Sequence, residues 1–429
     1  MSGKAVLKLE GKEYEFDTLV GSEGEKAIDF TKLRARTGHV GFDPGYGNTG
    51  SCRSSITFVD GEKGILRYRG YPIEEIAENA TFLETAYLLI HGELPTPQQL
   101  DGFVSDVSHH TMLHEDIKRF YAGFPKKAHP MAVSSAVAGA LSAFYPEHLD
   151  PAQDQALNKA IIRSIAKLPT IISYAYKHSI GQPFMYPLND LDYTSNFLRM
   201  MSATPCEEYE VDETVAKALD VLLILHADHE QNCSTSTVRL VGSSMSNLFA
   251  SVSAGISALW GPLHGGANQK VVEMLESIAS GEGSAEVFLD KAKSRDDTTR
   301  LMGFGHRVYK NFDPRATIIK KACAEVLEKL GIHSKLLEIA VRLEEIALSD
   351  EYFVSRRLYP NVDFYSGIIY QAIGFPVNLF TALFAMGRLP GWISQWVEMH
   401  DDKGFKIGRP RQIYEGATKR AWKPLGERL

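Results

Sequence analysis

The sequence predicts a mainly α-helical protein with a small β-rich segment at residues 1–70. Three observations carry this. Two-residue alternation of apolar and polar side chains is confined to that segment. Beyond Pro72 the apolar residues recur every three to four positions, the helical period. No fixed-period repeat runs along the chain, which disfavours a solenoid whose units touch only their neighbours.

The elements follow in order. Leu7, Leu9, Tyr14 and Phe16 alternate with Lys8, Glu10, Glu13 and Glu15 across Gly11-Lys12, the pattern of two strands and a turn. Ser55–Asp60 and Ile65–Arg69, joined by Gly-Glu-Lys-Gly, read as a second hairpin. Ile73, Ile76, Ala77, Leu83, Ala86, Tyr87 and Ile90 then open the helical region. Further helices are expected over 98–107, 131–145, 153–180, 190–203, 211–229, 244–260, 267–280, 314–330, 334–349 and 376–388, separated by Pro or Gly; Gly281–Ser294 is polar and helical.

Composition excludes several classes. With 429 residues, 44% of them apolar, the chain can bury a large core, so a disordered or collagenous protein is excluded. A formal charge of −7 argues against a protein that coats nucleic acid or anionic lipid. Cys52, Cys206, Cys233 and Cys323 form no CxxC pair, so neither a zinc knuckle nor a disulfide framework is expected. The opening residues hold no apolar h-region and no stretch is long enough to cross a bilayer; a soluble, cytoplasmic protein is expected. The basic stretch Lys419–Arg428 reads as a solvated terminus.

Four segments place ionisable side chains beside helix breaks. In Trp260-Gly-Pro-Leu-His264-Gly-Gly-Ala-Asn268, glycines precede a helical run, so His264 is expected at a helix N-terminus, neutral and able to donate to a developing oxyanion. A plain capping histidine is the alternative. In Gly303-Phe-Gly305-His306-Arg-Val-Tyr-Lys310-Asn-Phe-Asp313-Pro314-Arg315 the glycines allow backbone to approach a ligand, but the third glycine of a dinucleotide fingerprint is absent. Arg315, in the first turn after an Asp-Pro start, suits either a carboxylate clamp or a structural ion pair. Asp363, between Val362 and Phe364, is a general base if burial raises its pKa, or otherwise a helix cap. His226 and His229 are not spaced as H-E-x-x-H, so a metal site is disfavoured and a hydrogen bond from His229 to substrate is preferred.

Taken together these segments resemble citrate synthase. Gly303 to Arg315 matches that family's signature without a break, and Pro262-Leu-His264-Gly-Gly-Ala-Asn, His226-Ala-Asp-His229-Glu and Pro360-Asn-Val-Asp363 also match. The β-rich start is similar to the hexameric bacterial (type II) form. The resemblance implies an all-helical two-domain fold, with a large domain over 71–262 and 372–429 and a small domain over 263–371 that closes on substrate. It implies His264, His306 and Asp363 as catalytic residues, and His229, His306, Arg315, Arg388 and Arg409 as ligands of oxaloacetate, with Arg409 supplied by a partner subunit. Met302, Gly303, Phe304, Gly305 and Lys310 match CoA-binding positions. No cofactor is implied, acetyl-CoA being a substrate. A homo-oligomer is implied, at least a dimer and on the type II pattern a trimer of dimers. His110, Thr111, Met112, Tyr145, Arg163, Lys167 and Cys206 match positions lining an allosteric NADH site, although His109 stands where sensitive members carry arginine.

The nearest rival is 2-methylcitrate synthase, which prefers propionyl-CoA. One methylene is worth about 1–3 kcal/mol in a pocket, too little for motifs to decide. A metal hydrolase built on His226, His229 and His264, and a non-catalytic scaffold, are rivals of other classes.

Overall fold

The computed structural model describes residues 3–148, 150, 154–282, 284–294, 300–306 and 308–428. The chain divides into two units, one made of the residues up to Arg53 with Gly408–Leu429, the other of Ser54–Ile407. In the first, Lys4–Leu9, Lys12–Val20 and Lys26–Ile28 form an antiparallel sheet. Its register pairs Leu7 with Tyr14 and Ala5 with Phe16. The alternation has the expected consequence, because Phe16 is buried, meets Phe30 edge-on and lies under the Arg36 guanidinium. Residues 408–428 are exposed, Arg409, Tyr414 and Trp422 among them.

The second unit begins with the other hairpin, Thr57–Asp60 and Ile65–Tyr68, extended by Tyr71–Pro72. The β structure expected over 1–70 is therefore shared between the units. Among the described residues every regular element after it is helical, apart from one isolated bridge at Phe304, as the period predicts. Most predicted helices appear within a few residues, for example Pro97–Ser108, Pro130–Phe144, Pro314–Lys329 and Lys335–Ser349. The start expected at 153 lies outside the described residues. Caps fix several boundaries: Thr96 and Gln99 form a capping box, and Asp212 accepts the N–H groups of Thr214 and Val215.

The clearest departure is the helix expected over 376–388, which runs Phe380–Asp401 straight through Pro390. A proline inside a helix costs about 3 kcal/mol. Leu389, Trp392, Ile393 and Trp396 follow or flank it and are all nearly fully buried, each contributing about 1.5–3 kcal/mol. Burial outweighs the lost backbone bond. This helix is buried almost all round, as a central helix must be, and packs against Phe82–His91, Asp154–Ile180, Glu213–His226, Cys233–Gly242 and Leu248–Leu259. A second group, Ala267–Ser277, Ala285–Lys293, Pro314–Lys329, Lys335–Ser349 and Asp363–Ile373, packs largely on itself. Its contact with the first group includes that of Pro314–Lys329 with Glu213–His226.

Candidate active site

The predicted catalytic residues of the second unit, with Arg315 and Arg388, fall where these two groups meet. His264 lies in the turn between Leu248–Leu259 and Ala267–Ser277, and Gly266 is the cap of the following helix, so the histidine stands ahead of the helix N-terminus rather than in it. Its Nε2 accepts the backbone N–H of Ser234 (3.1 Å) and lies 2.9 Å from the Ser234 hydroxyl. Ser234 is held in turn by Trp392 Nε1 (3.1 Å) and by Asn232 (2.9 Å). An accepting Nε2 leaves the proton on Nδ1. Burial, and next the charge of Arg388, lower the His264 pKa to about 4, so the ring is neutral. Neutrality was expected from the helix dipole; burial and a neighbouring guanidinium supply it instead.

His306 has the opposite tautomer. Its Nδ1 accepts the N–H groups of Val308 (3.0 Å) and Tyr309 (3.3 Å), which puts the proton on Nε2. Burial and then Arg315 lower its pKa to about 4. The loop carrying it is pinned to the segment before Asp363: Phe304 and Pro360 form a β-bridge, Gly305 N–H donates to Tyr359 O (2.8 Å), Asn361 N–H to Gly303 O (2.9 Å), and Asn361 Nδ2 to Gly305 O (2.9 Å). Gly303 is required for this approach. It has φ of 77°, and a Cβ there would stand 2.7 Å from Val271 and 2.9 Å from Phe364.

Asp363 opens the helix Asp363–Ile373 as its first residue; the cap position is Val362, so the carboxylate is not spent on capping. Its own N–H is taken by Asn361 Oδ1 (3.0 Å). Burial raises its pKa to about 6, against the opposing pull of Arg315 and Arg388. The two guanidiniums thus act on all three candidate catalytic groups, Arg388 on His264, Arg315 on His306 and both on Asp363.

Arg315 itself is buried and bidentate to Asp313, Nε to Oδ1 (2.9 Å) and Nη2 to Oδ2 (2.8 Å). This is the ion-pair alternative of the sequence reading. Asp313 also caps the helix through the Arg315 N–H (3.0 Å) and accepts Val362 N–H (3.2 Å), tying Arg315 to the backbone beside Asp363. Burial pushes the Asp313 carboxyl up, but Arg315 outweighs it and holds the pKa below the usual range. Arg388, buried in the central helix, donates from Nε to His226 O (2.6 Å) and lies over the Phe384 ring. His229 is buried, Nε2 3.2 Å from the Tyr309 hydroxyl, its pKa driven well down by burial. His226 gives Nδ1–H to Leu222 O (2.7 Å) and is neutral, with a pKa of about 3.

Other predicted positions stand apart. Lys310 anchors by its backbone to Gly61 O (2.8 Å), with its side chain exposed. Met302 donates its N–H to Met274 Sδ (3.3 Å). Arg409 belongs to the other unit. Tyr145, Arg163 and Lys167 do assemble: Arg163 lies 4.0 Å over the Tyr145 ring and Lys167 5.3 Å from it. Lys167 is buried and donates to His110 O (2.7 Å) and Met112 O (2.6 Å), with a pKa lowered to about 8 by burial; Thr170 holds Thr111 O (2.9 Å). Cys206 and His109 are exposed. Among the described residues no three His, Cys, Asp or Glu side chains group as metal ligands. Sequence reading allowed an ion pair at Arg315 without naming Asp313 as its partner, for which the Asp-Pro-Arg spacing was a signal, and missed Ser234, for which there was none.

The chain's likeness to known proteins accords with this geometry. Residues 45–411 match the model described as citrate synthase, C-terminal domain. "Citrate synthase 1" of Mycobacterium tuberculosis is 57% identical over 424 residues, covering 99% of this chain and 98% of that protein. Citrate synthase of Corynebacterium glutamicum is 54% identical over 428 residues, covering 100% and 98%. Among solved structures, citrate synthase from Pyrobaculum aerophilum superposes with a TM-score of 0.83 at 36% identity, covering 96% of this chain and 97% of that one. The ternary complex of carboxymethyl coenzyme A and oxaloacetate with citrate synthase from Thermoplasma acidophilum superposes with a TM-score of 0.80 at 30% identity, covering 89% of this chain and 98% of that one. The chain belongs to the citrate synthase family.

Proposed function

We propose that the protein condenses acetyl-CoA with oxaloacetate to give citrate and CoA, with His264, His306 and Asp363 as its catalytic residues. The observation that carries the assignment of roles is the pair of neutral imidazoles with opposite tautomers beside a carboxyl raised to about 6. Asp363 takes a proton from the acetyl methyl group as general base. His264 Nδ1–H donates to the thioester oxygen as negative charge develops there; the low pKa of its imidazolium keeps the ring neutral, and the N–H of a neutral imidazole, itself a weak acid, gives a hydrogen bond without protonating the enolate outright. The enolate carbon attacks the ketone of oxaloacetate, whose oxygen receives the His306 Nε2 proton, forming citryl-CoA. Water then cleaves the thioester, releasing citrate and CoA.

Arg315, Arg388 and His229 bind oxaloacetate in this reading, joined by Arg409 of a partner subunit. Planar guanidinium forks suit its carboxylates. Residues 263–371 form the small domain that closes, and Met302–Gly305 and Lys310 bind CoA. The protein is a cytoplasmic homo-oligomer, a trimer of dimers on the type II pattern; no helix among the described residues is long and apolar enough to cross a membrane. A fully active monomer in light scattering would reject the shared site. NADH is an effector in the same reading, supported by the assembly of Tyr145, Arg163 and Lys167; a rate unchanged by millimolar-range NADH rejects it. The function is tested by following CoA thiol release with acetyl-CoA and propionyl-CoA in parallel. Preference for acetyl-CoA is expected, and the reverse would move the protein to 2-methylcitrate synthesis.

A further inference from the structure

The two buried arginines of the site are not held alike. Arg315 has Asp313 bidentate beside it, whereas among the described residues Arg388 makes no ion pair with a carboxylate. Its Nε bond to His226 O (2.6 Å) fixes one edge of the guanidinium. A guanidinium 2% exposed needs an opposing charge nearby, or it is costly to keep. His226 is neutral and brings none.

Asp228 is the carboxylate placed to supply it. It is fully buried, and although Oδ2 accepts Glu230 N–H (3.2 Å), Oδ1 has no hydrogen-bond partner. Residues 226–228 run along the central helix, held by Arg388 to His226 O and by Gly391 N–H to Ala227 O (3.0 Å). A Cβ at Gly391, one turn beyond Arg388, would stand 2.5 Å from Asp228 Oδ1, so that oxygen presses on the helix that carries the arginine. Burial leaves the Asp228 carboxyl above and the Arg388 guanidinium below their ordinary ranges, and the largest charge opposing that on each is the other residue's, which favours the ionised form of both.

We propose that Asp228 is a positioning residue for Arg388, the fixed counter-charge that holds its guanidinium toward the substrate carboxylate. This rests on the assignment of Arg388 to oxaloacetate. Asp228→Asn keeps an acceptor for Glu230 N–H and removes the charge. In steady-state kinetics the variant is expected to raise the KM for oxaloacetate about tenfold, with kcat and the KM for acetyl-CoA within about threefold of the parent, a split that general loosening of the fold does not give. In an Arg388→Gln background the same change is expected to add nothing further to the oxaloacetate KM. An unchanged oxaloacetate KM in Asp228→Asn, or an equal rise in both backgrounds, overturns the proposal. If Arg388→Gln alone leaves that KM unchanged, the assignment of Arg388 falls first and the proposal with it. Should the Asn variant not fold, Asp228→Ser is put through the same comparison with the same deciding outcomes.

Discussion

Replacing Asp363 by Asn removes the proposed general base and should also stabilise the fold, and the two effects have separate signatures. Burial moves this carboxyl from 3.8 to about 6, which at about 1.36 kcal/mol for each pKa unit makes the ionised form cost the folded state about 3 kcal/mol. The sign follows from proton counts. Between the unfolded and folded pKa values the folded protein holds more protons than the unfolded chain, so this group's contribution falls as pH rises through that window and levels off above it. Asn does not titrate. The variant's stability advantage should therefore grow from about 1.6 kcal/mol at pH 5 to about 3 kcal/mol at pH 8. Urea unfolding of both proteins at the two pH values measures it, and thiol release should fall by about 10²–10⁴-fold, the range of a lost general base. In the parent, turnover should decline below about pH 6 as Asp363 is protonated. A variant that is less stable at every pH, or whose advantage does not change with pH, would refute the placement of a strained carboxylate at this position.

Gly303→Ala forces a side chain onto a left-handed backbone and into Phe364, and should cost about 2–4 kcal/mol in urea unfolding while reducing turnover, since Phe364 adjoins Asp363. Arg315→Gln leaves Asp313 buried without its cation and should destabilise by about 3–5 kcal/mol at neutral pH. Because the Asp313 pKa is depressed by that arginine, the parent's advantage should shrink as pH falls and the carboxylate is protonated, so a loss of equal size at pH 4 and pH 7 would contradict the ion pair. Dialysis against EDTA should leave thiol release unchanged; inactivation reversed by added metal would revive the hydrolase reading.

Much of the fold was legible because its signals are local. The alternation at Leu7 to Phe16 and the three-to-four spacing after Pro72 describe which face of each element is buried, and the elements formed accordingly. What stayed hidden depended on distant residues. Nothing near Pro390 announces that Trp392 and Trp396 will be enclosed on every side, so a proline that reads as a stop became an interior position. The same holds in the site. The residue types and motifs picked out His264, His306 and Asp363, yet the atom of each imidazole that keeps its proton is set by Ser234, Val308 and Tyr309, which only the fold brings to it. The cause of the low His264 pKa was likewise misjudged, because its burial, and next the charge of Arg388, come from residues that only the fold brings near, Arg388 lying more than a hundred positions away in sequence.

The bridge between Phe304 and Pro360 has a mechanical consequence. His306 and Asp363 lie two and three residues beyond its two ends and are locked to one another by the flanking backbone bonds. His264 is fastened through Ser234 to Trp392, on the helix that bears Arg388. The three proposed catalytic groups thus ride on two pieces, and any jaw-like opening would change the gap between the pieces while leaving the distance from Asp363 to His306 intact.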